Sequence, residues 1–172
     1  MIIKPSLKMS RFEPAIFGDL KAAAAKKKAA GYDIYDLSLG SPDIPPTEEI
    51  RKVLSEQSYL ETSYGYTLSG TSRFYEAVAN YYKRCYQIEL NPKTEIVQTM
   101  GSQEGLVHLP IAFCDEGDII LTTNPGYVAY DAGIKLAGAT PYFMNLVEEN
   151  GYLPDLAAIP EEIALKAKLL IL

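Results

Sequence analysis

From residue 92 onward, short apolar runs alternate with stretches long enough for helices. The runs are Glu95-Ile96-Val97-Gln98-Thr99, Ile119-Ile120-Leu121-Thr122, residues 140–146 and residues 167–172. Between them lie helix-length segments at 102–113 and 127–137 and a short helix opened by Pro154-Asp155. Asp115-Glu116-Gly117-Asp118, Gly138 and Asn150-Gly151 mark the turns. The runs are apolar throughout, without the polar alternation of a sheet that has one wet face. Strand, helix and strand in succession, with strands of that texture, predict an α/β architecture: a mostly parallel sheet with helices on both faces.

The first half reads differently. Residues 1–16 carry Pro5 and Pro14 and no hydrophobic period, which predicts an extended arm. A helix is expected over 17–30. Lys26, Lys27 and Lys28 complement its carboxyl end, and Gly31 follows at the position where helices stop. Tyr35-Asp36-Leu37-Ser38-Leu39 reads as a short strand ended by Gly40-Ser41-Pro42-Asp43. Thr47 is the expected N-cap of a helix running to about Gln57, with Glu48 and Glu49 in its first turn. A loop rich in Tyr, Ser, Thr and Gly covers 59–70. Residues 72–86 read as an amphipathic helix, with Phe74, Val78 and Tyr81 or Tyr82 on one face. The resulting division is an arm, helix and short strand over 1–46, a helical region with a Tyr-rich loop over 47–91, and the start of an α/β domain over 92–172.

Composition removes several function classes. A formal net charge of -6 opposes nucleic-acid binding, which needs a basic face to neutralise phosphates. No apolar run reaches the roughly 18 residues of a membrane span, and the N-terminus reads as no leader peptide. Cys85 and Cys114 are far apart and in no metal-binding spacing, so both read as reduced core thiols of a cytoplasmic protein. His108, the single His, falls on an apolar helical stretch and reads as a core residue without a partner nucleophile. Lys168-Leu169-Leu170-Ile171-Leu172 reads as a buried central strand. Ligand groups in α/β sheets lie just past strand ends, and here the sequence stops where the next such loop begins. The expectation is therefore a chain that is cut, with its site unfinished.

Two junctions carry the chemistry. At Thr99-Met100-Gly101-Ser102-Gln103-Glu104-Gly105-Leu106 a strand passes into a helix through Gly, Ser and Gln. A helix N-terminus offers free N–H groups and partial positive charge. Gly101 allows close backbone approach, Ser102 adds a hydroxyl and Gln103 an amide, a set suited to one phosphate group. A plain strand-to-helix turn with Ser102 as N-cap has the same signature. The segment lacks the G-x-G-x-x-G of dinucleotide binders and the Gly-Lys-Ser or Gly-Lys-Thr of a P-loop. The second junction, Asn124-Pro125-Gly126-Tyr127, follows the next strand. Tyr127 there either covers a flat ligand or packs on its own helix. A phosphate seat beside an aromatic face points to a flat phosphorylated cofactor.

With these junctions in place, the chain resembles the N-terminal part of a class I/II aminotransferase, a fold-type I enzyme dependent on pyridoxal 5'-phosphate. The matching stretches are Tyr35 to Asp43, Tyr64-Gly65-Tyr66-Thr67-Leu68-Ser69-Gly70, Gly101 to Leu106, Gly117 to Leu121 with Pro125-Gly126-Tyr127, and residues 151–172. They cover nearly the whole chain in the family's order, and the branch most similar is that of the LL-diaminopimelate aminotransferases. The resemblance implies that Gly101, Ser102 and Gln103 hold the cofactor phosphate and that Tyr127 stacks on its ring. It implies that the Gly40 backbone lies near the substrate carboxylate, and that a tyrosine reaches the cofactor of the partner subunit in a homodimer. Tyr66 is favoured for that role, although its spacing to Gly70 is one residue short of the commonest family pattern, so Tyr64 stays open. Val128 stands where the family often has Pro.

The resemblance also implies a Schiff-base lysine, ring-holding Asn and Asp residues and a substrate-gripping Arg, all expected downstream of Leu172. Lys83, Lys93, Lys135, Lys166 and Lys168 read as solvated, so no catalytic residue and no metal ligand is assigned within the chain. The expected activity of the whole is transfer of an amino group between an amino acid and a 2-oxo acid in the cytoplasm, with the 172-residue chain inactive alone. Two alternatives remain: a C–S lyase of the same fold type, and a short non-catalytic fragment or binding module.

Overall fold

The computed structural model describes residues 3–12, 16–38 and 40–172. The chain divides into two compact units, one of Met1–Pro14 with Thr99–Leu172 and one of Ala15–Gln98.

The first unit is the α/β unit. Helix α4 (Ser102–Phe113), strand β1 (Ile119–Asn124), helix α5 (Val128–Ala137), strand β2 (Thr140–Asn145), helix α6 (Glu161–Lys166) and strand β3 (Ala167–Ile171) follow in sequence. The sheet is parallel, in the order β2-β1-β3. The alternating sequence pattern is thus matched by an α/β fold. Crossovers of the usual right hand that run in opposite directions along a sheet put their helices on opposite faces. The burial of β1 fits that: Ile120, Leu121 and Thr122 are consecutive and all buried, although successive strand residues face opposite ways. Ile120 and Ile134, both wholly buried, form the core with Cys114, flanked by Ala137, Ala139, Leu169 and Ile171.

Helices α4 and α5 meet at one close approach. Pro110 sits inside α4, buried, and has no N–H to give the Leu106 carbonyl one turn back. Gly133 of α5 lies against that carbonyl. A Cβ on Gly133 would stand 2.7 Å from the Leu106 oxygen and 3.1 Å from Pro110 Cγ. Gly105, near the start of α4, has only Thr99 Cγ2 nearby, at 3.9 Å. The tight contact is between helices, not between helix and strand.

Several expectations are corrected. Residues 7–11 form a 3-10 turn rather than extended arm. The turn is tied to the α/β unit by Lys8, which donates to the Leu136 carbonyl at 3.3 Å, and by an Arg11–Glu116 ion pair at 2.9 Å; residues 1, 2 and 13–15 of that arm lie outside the described residues. Residues 95–99 form no strand. Thr94 and Glu95 turn back onto the Asn91 carbonyl, and no strand among the described residues runs beside them. Val97 is 86% exposed. Strand β3 is not buried on both faces: Ala167, Leu169 and Ile171 are half-buried while Lys168 and Leu170 are exposed. It lies at an edge of the sheet, and its pairing slips by one residue at Lys168.

The second unit holds helices α1 (Ile16–Ala29), α2 (Glu48–Ser58) and α3 (Ser72–Tyr86), with a 3-10 turn at Glu61–Tyr64. Thr47 takes the N-cap position of α2 without a side-chain cap, whereas the Thr71 hydroxyl caps α3 by accepting from the Phe74 N–H. The half-buried residues of α3 are Tyr75, Val78 and Ala79, not the face through Phe74 and Tyr81. Tyr81, Tyr82 and Tyr86 instead pack on one another, with ring centroids 5.3 to 6.1 Å apart. Residues 35–38 form no strand, and Leu39, the last residue of the expected strand 35–39, lies outside the described residues. The Asp36 carboxylate accepts from the Ser38 hydroxyl at 2.6 Å and the Ser38 N–H at 3.0 Å, a local turn that competes with strand pairing. The same two bonds, the hydroxyl's first, hold the Asp36 carboxyl below its ordinary range.

Candidate cofactor site

The strand-to-helix junction is built around Gly101. Its φ of 82° and ψ of 160° belong to a region that only glycine enters readily. Gly101, rather than Ser102, is the N-cap of α4, and no side chain caps the helix. Ser102 and Gln103 are therefore the first two helical residues, and their N–H groups lack partners within the helix. Two side chains fix the turn from either side. The Thr99 hydroxyl donates to the Gly101 carbonyl at 2.9 Å, and the Glu104 carboxylate accepts the Met100 N–H. Glu104 reaches back from the third helical position to the residue before the cap, one further than the acid of a capping box reaches.

Tyr127 is the N-cap of α5. Its hydroxyl donates to the Gln103 side-chain oxygen at 3.2 Å, so the two junctions read separately from sequence are joined by one hydrogen bond. Its ring meets Tyr130 edge-on at 5.8 Å and remains half exposed. The ring is held in place, with a face available. Gly126 has no room for a side chain, because a Cβ there would stand 2.6 Å from the Thr123 carbonyl. The Asn124–Pro125 peptide is cis. Asn124 donates to the Asn145 side-chain oxygen at 3.0 Å, which links the carboxyl ends of β1 and β2.

Gly101, Ser102, Gln103 and Tyr127 thus come together within one unit. Gly40 and Tyr66 belong to the other. Gly40 is exposed, with open space where a Cβ would be. Tyr66 is 92% exposed. The Tyr64 hydroxyl is taken up by the Ser58 carbonyl at 2.5 Å.

The other candidates change character. His108 is exposed, not core, and its ring lies 3.9 Å from Glu104. Cys85 is exposed as well; only Cys114 is buried. Lys83, Lys135 and Lys168 face Glu89, Asp131 and Asp118 at 2.8, 2.6 and 3.9 Å. Among the described residues there is no cluster of metal-ligating side chains, and no helix is long and apolar enough to cross a membrane. Thr99 and Glu104 had no assigned role from sequence. The signal for Glu104 was its place three residues after the cap; Thr99 carried none.

The parallel α/β sheet thus brings a glycine-capped helix N-terminus and a tethered aromatic ring together at adjoining junctions. The donor set fits the phosphate of pyridoxal 5'-phosphate: open N–H groups, the Ser102 hydroxyl and no side chain filling the space at Gly101. Comparison with known proteins names the family. The model of the class I and II aminotransferases matches residues 32–172, and the chain belongs to that family. It is 40% identical over 158 residues to the LL-diaminopimelate aminotransferase of Moorella thermoacetica, covering 91% of this chain and 40% of that protein. Against the LL-diaminopimelate aminotransferase of Aquifex aeolicus the identity is 39%, over 91% and 41% of the two. Among solved structures, apo BacF of Bacillus subtilis superposes with a TM-score of 0.91 at 38% identity, over all of this chain and 44% of that one. The chain therefore spans about two fifths of the length of the curated relatives it matches.

Proposed function

We propose that the protein is a cytoplasmic, homodimeric, pyridoxal-phosphate-dependent aminotransferase that moves an amino group between an amino acid and a 2-oxo acid. The observation that carries this reading is the Tyr127–Gln103 hydrogen bond, which couples a ring platform to a phosphate-type helix N-terminus. In this reading the N–H groups of Ser102 and Gln103 and the Ser102 hydroxyl hold the phosphate. Gly101 keeps that approach clear of side chains. Tyr127 lies along the ring and excludes water from one face. The cofactor, when bound, supplies an electron sink at the substrate α-carbon. Gly40 offers its backbone to the substrate carboxylate. Tyr66 is assigned to the partner subunit's cofactor, because its exposed ring is uncommitted whereas the Tyr64 hydroxyl is held by Ser58. The lysine that carries the cofactor, by this reading, lies in sequence beyond the 172 residues. Residues 92–172 are the first part of the cofactor domain, preceded by the helical region 47–91 and the arm, helix and turn of 1–46.

The names of the relatives favour LL-diaminopimelate as amino donor. The test is glutamate formation from LL-diaminopimelate and 2-oxoglutarate by the full-length gene product, with the 172-residue chain as control. Transfer by the first and none by the second is the expected result. Release of pyruvate and ammonia from a cystathionine-type substrate, with no amino transfer, would replace this reading by elimination chemistry.

A further inference from the structure

A cavity of about 250 Å³ lies between the carboxyl end of β1 and the amino end of α5. Thr122, Thr123, Asn124, Val128 and Asp131 are among its lining residues. Two independent features give it a chemistry. The first is a buried hydroxyl. Thr122 is only 2% exposed, and its Oγ1 has no hydrogen-bond partner among the described residues. A buried hydroxyl left unpaired is costly, so a buried threonine here, directly after Ile119, Ile120 and Leu121, calls for a polar partner. The second is the helix end. Tyr127 makes no side-chain capping bond, and the N–H groups of Val128 and Ala129 have no intrahelical acceptor.

Charge decides which partner fits. The free amide groups and the helix dipole favour a negative group. The one acid that lines the cavity, Asp131, is neutralised by Lys135 at 2.6 Å. Space decides the size: 250 Å³ is below the usual range for drug-sized ligands and admits a small organic acid.

We propose that this cavity is a carboxylate-binding site, in which one carboxylate of a small organic acid accepts from the Thr122 hydroxyl and from the N–H groups of Val128 and Ala129. The site is separate from the phosphate seat at α4 and stands without the transaminase reading. It shares one residue with that reading: Tyr127 is at once the N-cap of α5 and the ring platform, so an acid bound behind it steadies the platform.

The experiment is an NMR titration of the chain with malonate, following the backbone amides of Val128, Ala129, Ser102 and Gln103. Saturable shifts at Val128 and Ala129 are expected. Thr122→Val keeps the shape and removes the hydroxyl, and should weaken binding about fivefold, the worth of one net hydrogen bond. Val128→Pro removes one N–H at a position that suits proline. Tyr127, with φ -71° and ψ 136°, already has the extended backbone that a residue before proline needs. Read at Ala129, this variant should weaken malonate as much even if Thr122→Val fails to fold. Asp131→Asn should tighten binding. Shifts confined to Ser102 and Gln103, shifts that never saturate, or equal affinity in the folded Thr122 and Val128 variants would overturn the proposal.

Discussion

The Tyr127 hydroxyl and the Gln103 side-chain oxygen stand 3.2 Å apart and bind the start of α5 to the start of α4. The bond is exposed, so its worth to folding is small; its effect is on where the ring lies. Tyr127→Phe keeps the apolar surface and loses the tether. Its expected signature is a stability change of less than about 1 kcal/mol by urea denaturation, together with a several-fold loss of pyridoxal-phosphate affinity in the full-length protein, read by absorbance. A large loss of stability with unchanged cofactor affinity would contradict the tether's role.

Gly101 and Gly18 make a paired test of backbone conformation. A Cβ at either meets open space, yet only Gly101 has a positive φ. Gly101→Ala should therefore destabilise by about 1–3 kcal/mol through strain alone. Gly18→Ala, inside α1, should stabilise by roughly 0.5–1 kcal/mol. Urea midpoints that move the same way in both variants would remove the strain argument.

Gly133→Ala addresses packing. The added carbon would stand 2.7 Å from the Leu106 carbonyl oxygen, and backbone on both sides leaves little room to yield. A loss of about 1–3 kcal/mol or more is expected, with thermal unfolding as the measurement. Gly105→Ala, with only a 3.9 Å neighbour, is the control that should be tolerated.

The two thiols should separate under alkylation. Cys85 is exposed, and Cys114 is buried. Burial first, then the nearby Asp118 charge, pushes the Cys114 thiol above its ordinary value. Intact mass after brief iodoacetamide treatment should show one label, on Cys85, and a second only in denaturant. The same shift sets a sign for stability. Between the ordinary thiol value and the raised one, the folded state keeps a proton that the unfolded state has lost, so this group's contribution falls as pH rises through that window.

The parallel sheet and its crossovers were legible because they follow from repeated local signals: Gly117, Gly138 and Gly151 at the turns, and apolar runs between them. Strands 35–39 and 95–99 were misread because propensity describes the residue, while a strand needs a neighbour. Asp36 bonded to Ser38, and Glu95 turned onto Asn91, where pairing was expected. His108 and Cys85 were placed in a core by residue type; helix phase put both outside. At the site, the sequence named Gly101, Ser102, Gln103 and Tyr127 separately. It held no sign of the bond between Gln103 and Tyr127, which are 24 residues apart. The buried hydroxyl of Thr122 was equally hidden, since a threonine is an ordinary strand residue until its partners are counted.

The 3-10 turn at Leu7–Arg11 belongs with the last third of the chain, through Lys8 to Leu136 and Arg11 to Glu116. On the ribosome these residues are made before their acceptors and wait through the synthesis of everything from 15 to 98 before Glu116 and Leu136 exist. The turn is thus a latch that closes only once α5 has been made, so the contacts of Lys8 and Arg11 report on a step that follows the synthesis of the helical unit rather than on the start of folding.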